Sequence, residues 1–260
     1  MTTSEQRIKT VCELLEETGL SDRSGSILYS GNETLTKGLV YFLGSNPGGH
    51  KDQLGHSDTV QTQLLKDNKK FNEYFDGEWL NKYTKTPDLP GQHEHQQNIQ
   101  SLFTDLHLDL KSTLSTNLCF VRSPMESKYE SVSENKTSSE QRNEDNERCW
   151  KIHEFILSIV QPKFIICNGS TSRDFIVDRE KYGRNGKKFK NRMEVKFEDE
   201  RELTSGGLKC TFHRGSLTLQ EKDLHLNDIG LFSVPHMGFY TYYKESSIWI
   251  NEIIKSQFDE

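Results

Sequence analysis

The residues best equipped for chemistry stand where apolar runs stop. Leu39 to Leu43 is an apolar run that ends at Gly44-Ser45-Asn46-Pro47-Gly48-Gly49-His50. Phe164 to Cys167 ends at Asn168-Gly169, and Leu231 to Val234 ends at Pro235-His236. Asn117 adjoins a further run, Leu118 to Val121. An amide oxygen such as that of Asn46 can accept from a water, but an amide is no strong general base. Asn117 offers a donor and an acceptor together, so it can pair with a ligand edge that carries both. As a neutral ring, His236 can donate to an oxygen that gains negative charge. Each has a plainer reading as well. Asn-Pro-Gly is ordinary turn chemistry, a strand-end Asn commonly bonds local backbone, and a lone His is commonly a satisfied structural one. Gly48 and Gly49 allow close approach of a ligand, an anion nest, or simply a turn.

The elements that would position these groups can be read from periodicity. Ile8, Val11, Cys12, Leu14 and Leu15 predict a helix over 5–18 that Gly19 ends. Helical spacing also predicts helices over 59–75, 94–111, 150–160 and 244–258. Between them lie four short apolar strands, at 39–43, 118–121, 164–167 and 231–234. Fully apolar strands alternating with helices predict an α/β fold of three layers, α/β/α, around a four-stranded parallel sheet. In such sheets ligands bind beyond the carboxyl ends of the strands, which is where the polar clusters stand. The length of 260 residues suits one domain with insertions. Residues 126–148 hold almost no apolar side chains and are expected to form a mobile loop. Residues 178–228 depart from the alternation and read as an insertion with short strands around Met193–Phe197 and Leu208–Phe212.

Composition narrows the function. The five cysteines are scattered and odd in number, which argues against a disulfide framework and against clustered thiolate ligands for a metal. No apolar run approaches membrane-spanning length and the first residues lack a secretory pattern, so a cytoplasmic protein without a membrane partner is expected. The net charge is −6, yet the segment 181–192 has six basic residues and no acidic one. That run, with Lys187 and Lys188 at its centre, is either a phosphate-contacting patch or a solvated face.

Taken in order, these stretches resemble the uracil-DNA glycosylase superfamily. LVYFLGSNPGG (39–49) is similar to the family's first motif, and its Asn before Pro resembles the mismatch-specific and thymine-DNA glycosylase branch. TNLCFVRSP (116–124) is similar to the strand whose Asn reads the base edge. CWKIHEFILSIVQPKFIICNG (149–169) is similar to the family's helix, Pro-Lys, strand and Gly, and FSVPHMGF (232–239) stands in the place of its His-Pro-Ser motif. The resemblance covers roughly half of the chain, its sheet.

The resemblance implies a glycosylase that flips a base out of DNA and cleaves its bond to the sugar. Asn46 and His236 would be catalytic, the first placing water and the second donating to the departing base. Gly44, Ser45, Pro47, Gly48 and Asn117 would hold the base. Arg122, Ser123, Lys187, Lys188 and Gly238 would face DNA. The aromatics Phe71, Tyr74, Phe75 and Trp79 are available for stacking, or are core. Uracil-strict members carry a bulky aromatic where this chain has Gly48, so a 5-substituted pyrimidine fits, up to the hypermodified cytosines of phage genomes. An enzyme of that last kind would serve antiviral defence. No lysine in the motifs suggests a Schiff base, so a monofunctional enzyme is expected. No cofactor is implied: iron–sulfur members use several cysteines, and only Cys149 stands at a comparable place. Nothing in the sequence demands a dimer. Two other classes stay open. Met237-Gly238 stands where the family has Pro-Ser, which motivates a protein that binds DNA or a modified base without excision. The glycine loop also suits a small-molecule or nucleotide-binding α/β protein.

Overall fold

The computed structural model describes residues 3–48, 58–66, 70–81, 83–123, 137–177, 192–203, 208–238 and 244–258. Its strands are β1 (Val40–Gly44), β2 (Leu114–Asn117), β3 (Phe164–Asn168), β4 (Met193–Glu202), β5 (Lys209–Leu219) and β6 (Leu224–Val234). They form one six-stranded mixed sheet in the order β2-β1-β3-β6-β5-β4. The first four strands in that order are mutually parallel, while β5 and β4 continue the sheet antiparallel.

The helices are α1 (Thr3–Thr18), α2 (Val60–Leu65), α3 (Glu73–Asp76), α4 (Glu94–Asp105), α5 (Ser138–Val160), α6 (Ser170–Ile176) and α7 (Lys244–Phe258). Alternate side chains of the central strands face opposite ways, and both faces are apolar. Tyr41, Leu43, Ile165, Cys167 and Leu231 pack in one cluster with Val11 and Leu15 of α1 and Ile152 and Ile156 of α5. Val40, Phe42, Phe164, Ile166 and Phe232 pack in a second with Ile99, Leu102 and Phe103 of α4 and Trp249 and Ile250 of α7. Burying each such side chain contributes about 1.5–3 kcal/mol. The sheet is therefore held rigid from both sides, and its carboxyl edge is a stable platform.

Several sequence expectations need correction. The parallel sheet of four strands is part of a mixed sheet of six. Its extra strands come from the region read as an insertion, where residues 193–228 pair edge to edge with the parallel strands. The second strand is Leu114–Asn117, not 118–121. Its polar residues are buried because the segment before β1 satisfies them: Ser115 N–H donates to Ser30 Oγ at 3.0 Å, and Thr116 Oγ1 donates to Ile27 O at 2.5 Å. The helix expected over 59–75 is two short ones, α2 and α3.

Residues 138–148, expected within a mobile loop, are the opening turns of the 23-residue α5. Thr137 caps that helix in a reciprocal box with Glu140. Its polar face is buried rather than solvated. Asp145 is wholly buried and bonds Arg23 at 3.1 Å, Gln141 at 3.1 Å and Arg148 at 3.4 Å. Residues 126–136 lie outside the described residues, as do Lys187 and Lys188. No described helix is long and apolar enough to cross a membrane.

Candidate functional site

The parallel register brings four strand ends level. Gly44 pairs with Asn117, and Asn168 pairs with Val234, so the loops that follow all leave from one edge of the sheet. The first loop is clamped through its backbone carbonyls. Gly44 O accepts from Leu118 N–H at 2.9 Å and from Ser172 Oγ at 2.6 Å, and Ser45 O accepts from Cys119 N–H at 2.9 Å. Pro47 O accepts from Ser123 N–H at 3.0 Å. Arg122 Nη1 donates to Gly48 O at 2.5 Å.

Asn46 is half-buried within this clamp. Its Nδ2 donates to Pro47 O and to Ser123 O, both at 2.9 Å. Those two bonds consume both amide hydrogens and fix which way the amide faces. Among the described residues nothing donates to Oδ1. The side chain therefore presents an acceptor and no donor, as a water-placing group must.

Asn117 is 5 % exposed, and its Nδ2 is buried without a hydrogen-bond partner. A buried amide donor left unbonded costs about 1–3 kcal/mol. Gly44 makes room for this side chain, since a Cβ on Gly44 would stand 2.2 Å from Asn117 Oδ1. Tyr29 lies close enough for Asn117 to bear on its hydroxyl, although no bond of good geometry reaches Nδ2. Burial pushes the Tyr29 hydroxyl up to about 12, so it stays protonated.

His236 follows β6 and packs against Gly169. That glycine has φ +104°, and a Cβ there would stand 3.2 Å from His236 Cβ. Gly238 N–H donates to His236 Nδ1 at 3.1 Å. The neutral ring then carries its proton on Nε2, the donor form. Between the loops after β1 and β6 lie two strand spacings, roughly 10 Å.

The structure adds residues that sequence reading missed. His95, at the start of α4, lies with its ring centroid 5.3 Å from that of His236. Asn168 Oδ1 accepts from Met237 N–H at 2.9 Å, which turns Asn168 Nδ2 toward His95 Nε2 at 3.0 Å. His95 is thereby set as an acceptor at Nε2, with its proton on Nδ1. Burial, reinforced by His236 and then His93, holds its pKa down to about 3, so the ring is neutral. Trp79 stacks edge-on against His95 at 5.4 Å and against Tyr29 at 6.1 Å. Its indole N–H donates to Glu73 Oε2 at 3.1 Å. Gln96, wholly buried, staples this loop to α4 by donating to Glu73 O and Gly77 O. Asn168 was visible in the sequence as a polar strand end. Trp79 is one of the aromatics the sequence offers for stacking, whereas nothing in it marks His95 or Glu73.

Other expected site residues take different places. Ser45 and Pro47 are buried in the loop, and Gly48 is exposed. Ser123, expected to face DNA, is 3 % exposed and serves the clamp instead. Arg122 is half-buried and tied to Gly48, with its Nε buried and unbonded. Gly238 is exposed beside His95 and His236. Tyr74 lies in the core against Phe42. Of the basic segment, Arg192 is described, and it turns inward to Glu147 and Phe175. Gly49 and His50 lie outside the described residues. Among the described residues no cluster of His, Cys, Asp and Glu could hold a metal ion. No family model matches the chain, and no curated protein matches it.

Proposed function

We propose that this protein is a monofunctional DNA glycosylase of the uracil-DNA glycosylase type, acting on uracil or a 5-substituted pyrimidine. The observation that carries the reading is the polarity of the groups on one sheet edge: an acceptor at Asn46 Oδ1, a buried unbonded donor at Asn117 Nδ2, and an Nε2–H on His236. A strand-end Asn that serves only to bond local backbone would not leave a buried donor without a partner.

The chemistry follows from that polarity. A flipped base enters between the loops after β1 and β6, and Asn117 pairs with its edge. The bond from sugar C1′ to the base nitrogen breaks, with the electron pair leaving on the base. His236 donates to the base oxygen where negative charge gathers. Asn46 holds a water for attack at C1′, and the water's proton passes to solvent because an amide cannot keep it. The enzyme thus depends on stabilising the leaving base, which suits a base that departs readily. An open Gly48 beside the site leaves room for a 5-substituent, and excision of such a base from phage DNA would serve antiviral defence.

The test is incubation with duplexes bearing uracil, a thymine mismatch, 5-hydroxymethylcytosine or its glucoside, followed by alkali. Strand breaks with one of these, lost in Asn46→Ala, are the expected result. Salt-dependent binding without an abasic site for any of them would replace excision by base recognition alone.

A further inference from the structure

We infer that Glu73 is a specificity residue of this site, reading an exocyclic amine, so that the bases accepted are of the cytosine type. The inference rests on the glycosylase reading above. Glu73 has no part in the loops after the strands; it is the first residue of α3. Its backbone N–H donates to Tyr29 O at 2.8 Å, and its carboxylate is held by the Trp79 indole. Trp79 in turn touches His95, which touches His236. Glu73 is therefore linked to both ends of the site, through Tyr29 to Asn117 and through Trp79 to His236.

Room for the carboxylate is built in. Gly77 faces it, and a Cβ on Gly77 would stand 2.3 Å from Glu73 Oε2 and 2.7 Å from Glu73 O. The surroundings otherwise are aromatic, with Tyr29, Tyr74 and Trp79 rings within 5.8 to 6.1 Å of one another. A carboxylate in such a wall is poorly solvated, and burial raises its pKa, opposed by the Trp79 bond and the Arg122 charge. Two donors, Asn117 Nδ2 and Arg122 Nε, are buried and unbonded, and Asn117, Arg122 and Glu73 all bear on the Tyr29 hydroxyl.

Two orphan donors and one carboxylate gathered around one hydroxyl form a recognisable pattern. The cytosine edge presents acceptors at O2 and N3 and a donor at its 4-amine, which matches two donors and an acceptor. The uracil edge presents an oxygen at position 4, which a carboxylate repels. A carboxylate accepting from the 4-amine is a known mode of reading cytosine.

The decisive comparison uses two duplexes that differ only at position 4, one with 5-hydroxymethylcytosine and one with 5-hydroxymethyluracil. The wild-type protein is expected to excise the first faster, by roughly ten- to a hundredfold, the worth of one well-made base contact. Glu73→Gln should collapse or invert that ratio, and Trp79→Phe, which frees the carboxylate from its anchor, should weaken it. A ratio unchanged in Glu73→Gln overturns the inference and leaves the glycosylase reading intact. Should Glu73→Gln fail to fold, an unchanged ratio in Trp79→Phe overturns it equally. If neither base is excised, the glycosylase reading falls, and equilibrium binding of the same duplexes decides on Glu73. A preference for the cytosine duplex that Glu73→Gln abolishes upholds its role, and equal binding ends it.

Discussion

Replacing Gly44 by Ala separates the fold from the site. A Cβ there would stand 2.2 Å from Asn117 Oδ1, 3.3 Å from Asn117 Cγ and 3.6 Å from Thr116 O. Only the first contact is impossible, and it is with the end of a side chain. Asn117 can withdraw by about 1 Å or change rotamer, at roughly 0.5–1.5 kcal/mol. The fold should therefore lose little, with a fall in Tm of about 2–6 °C for a chain of this size. Under the glycosylase reading the site should lose much, because the amide proposed to read the base is displaced. A loss of about a hundredfold in excision rate is expected, the usual effect of removing one preorganised polar contact. Gly25→Ala is the contrast. Its Cβ would stand 1.9 Å from Phe120 O, a backbone atom that cannot turn aside. That variant should cost about 3 kcal/mol or more. Thermal unfolding and single-turnover excision, measured on both variants, decide the matter. Full activity in Gly44→Ala, or equal destabilisation of the two, would refute the placement of Asn117 as reader.

Acid should destabilise the protein through its neutral histidines. His153 is wholly buried, accepts from Tyr41 Oη at Nδ1, and donates to Leu118 O from Nε2. Burial holds it at about 4, against 6.5 in the unfolded chain. Between those values the unfolded state binds the extra proton, so stability falls as pH falls, by about 2 kcal/mol for each such histidine from pH 6.5 to pH 5. His95 acts in the same direction. The raised carboxyl of Glu73 opposes them just above the usual carboxylate range. Urea melts at pH 7 and pH 5 measure the loss, and a slope unchanged in His153→Gln would count against it. Arg192→Met removes a bond to Glu147 at 2.6 Å and a guanidinium lying 3.9 Å from the Phe175 ring centre. Glu147 is half-exposed and can rehydrate, so the cost should be about 2 kcal/mol rather than the larger penalty of a stranded buried charge. DNA affinity should not change; weaker binding at an unchanged Tm would return Arg192 to the phosphate-contacting patch.

Three of the four strand ends are legible because β1 and β3 are continuous apolar runs, and the end of β6 is one broken only by Ser233, that stop at polar residues. The second strand was displaced by four residues in the reading because Ser115 and Thr116 look like loop. They are buried only because Ser30 and Ile27 supply partners from a distant segment. The opening of α5 was read as solvated for the same reason. Asp145 is buried by virtue of Arg23, 122 residues away, and no local pattern encodes that. The correction to β2 also moves Asn117 from before a strand to its carboxyl end, where the site lies. His95 meets Asn168 across 73 residues of sequence, and Glu73 depends on Trp79 in a loop without periodicity. Such contacts arise from tertiary packing, and composition carries no trace of them.

The bonds that orient Asn46 also restrict what can replace it. Its amide nitrogen faces two carbonyl oxygens, those of Pro47 and Ser123. An aspartate is the isosteric change that would provide a real base for a water held there. One of its oxygens would have to stand against both carbonyls, and the repulsion would be relieved only by holding a proton. A protonated acid is no better a base than the amide it replaced. Asn46→Asp alone therefore gains no base strength; the backbone of the loop after β2 would have to turn first. In this arrangement the same clamp that makes the water site dependable also caps how strongly it can pull.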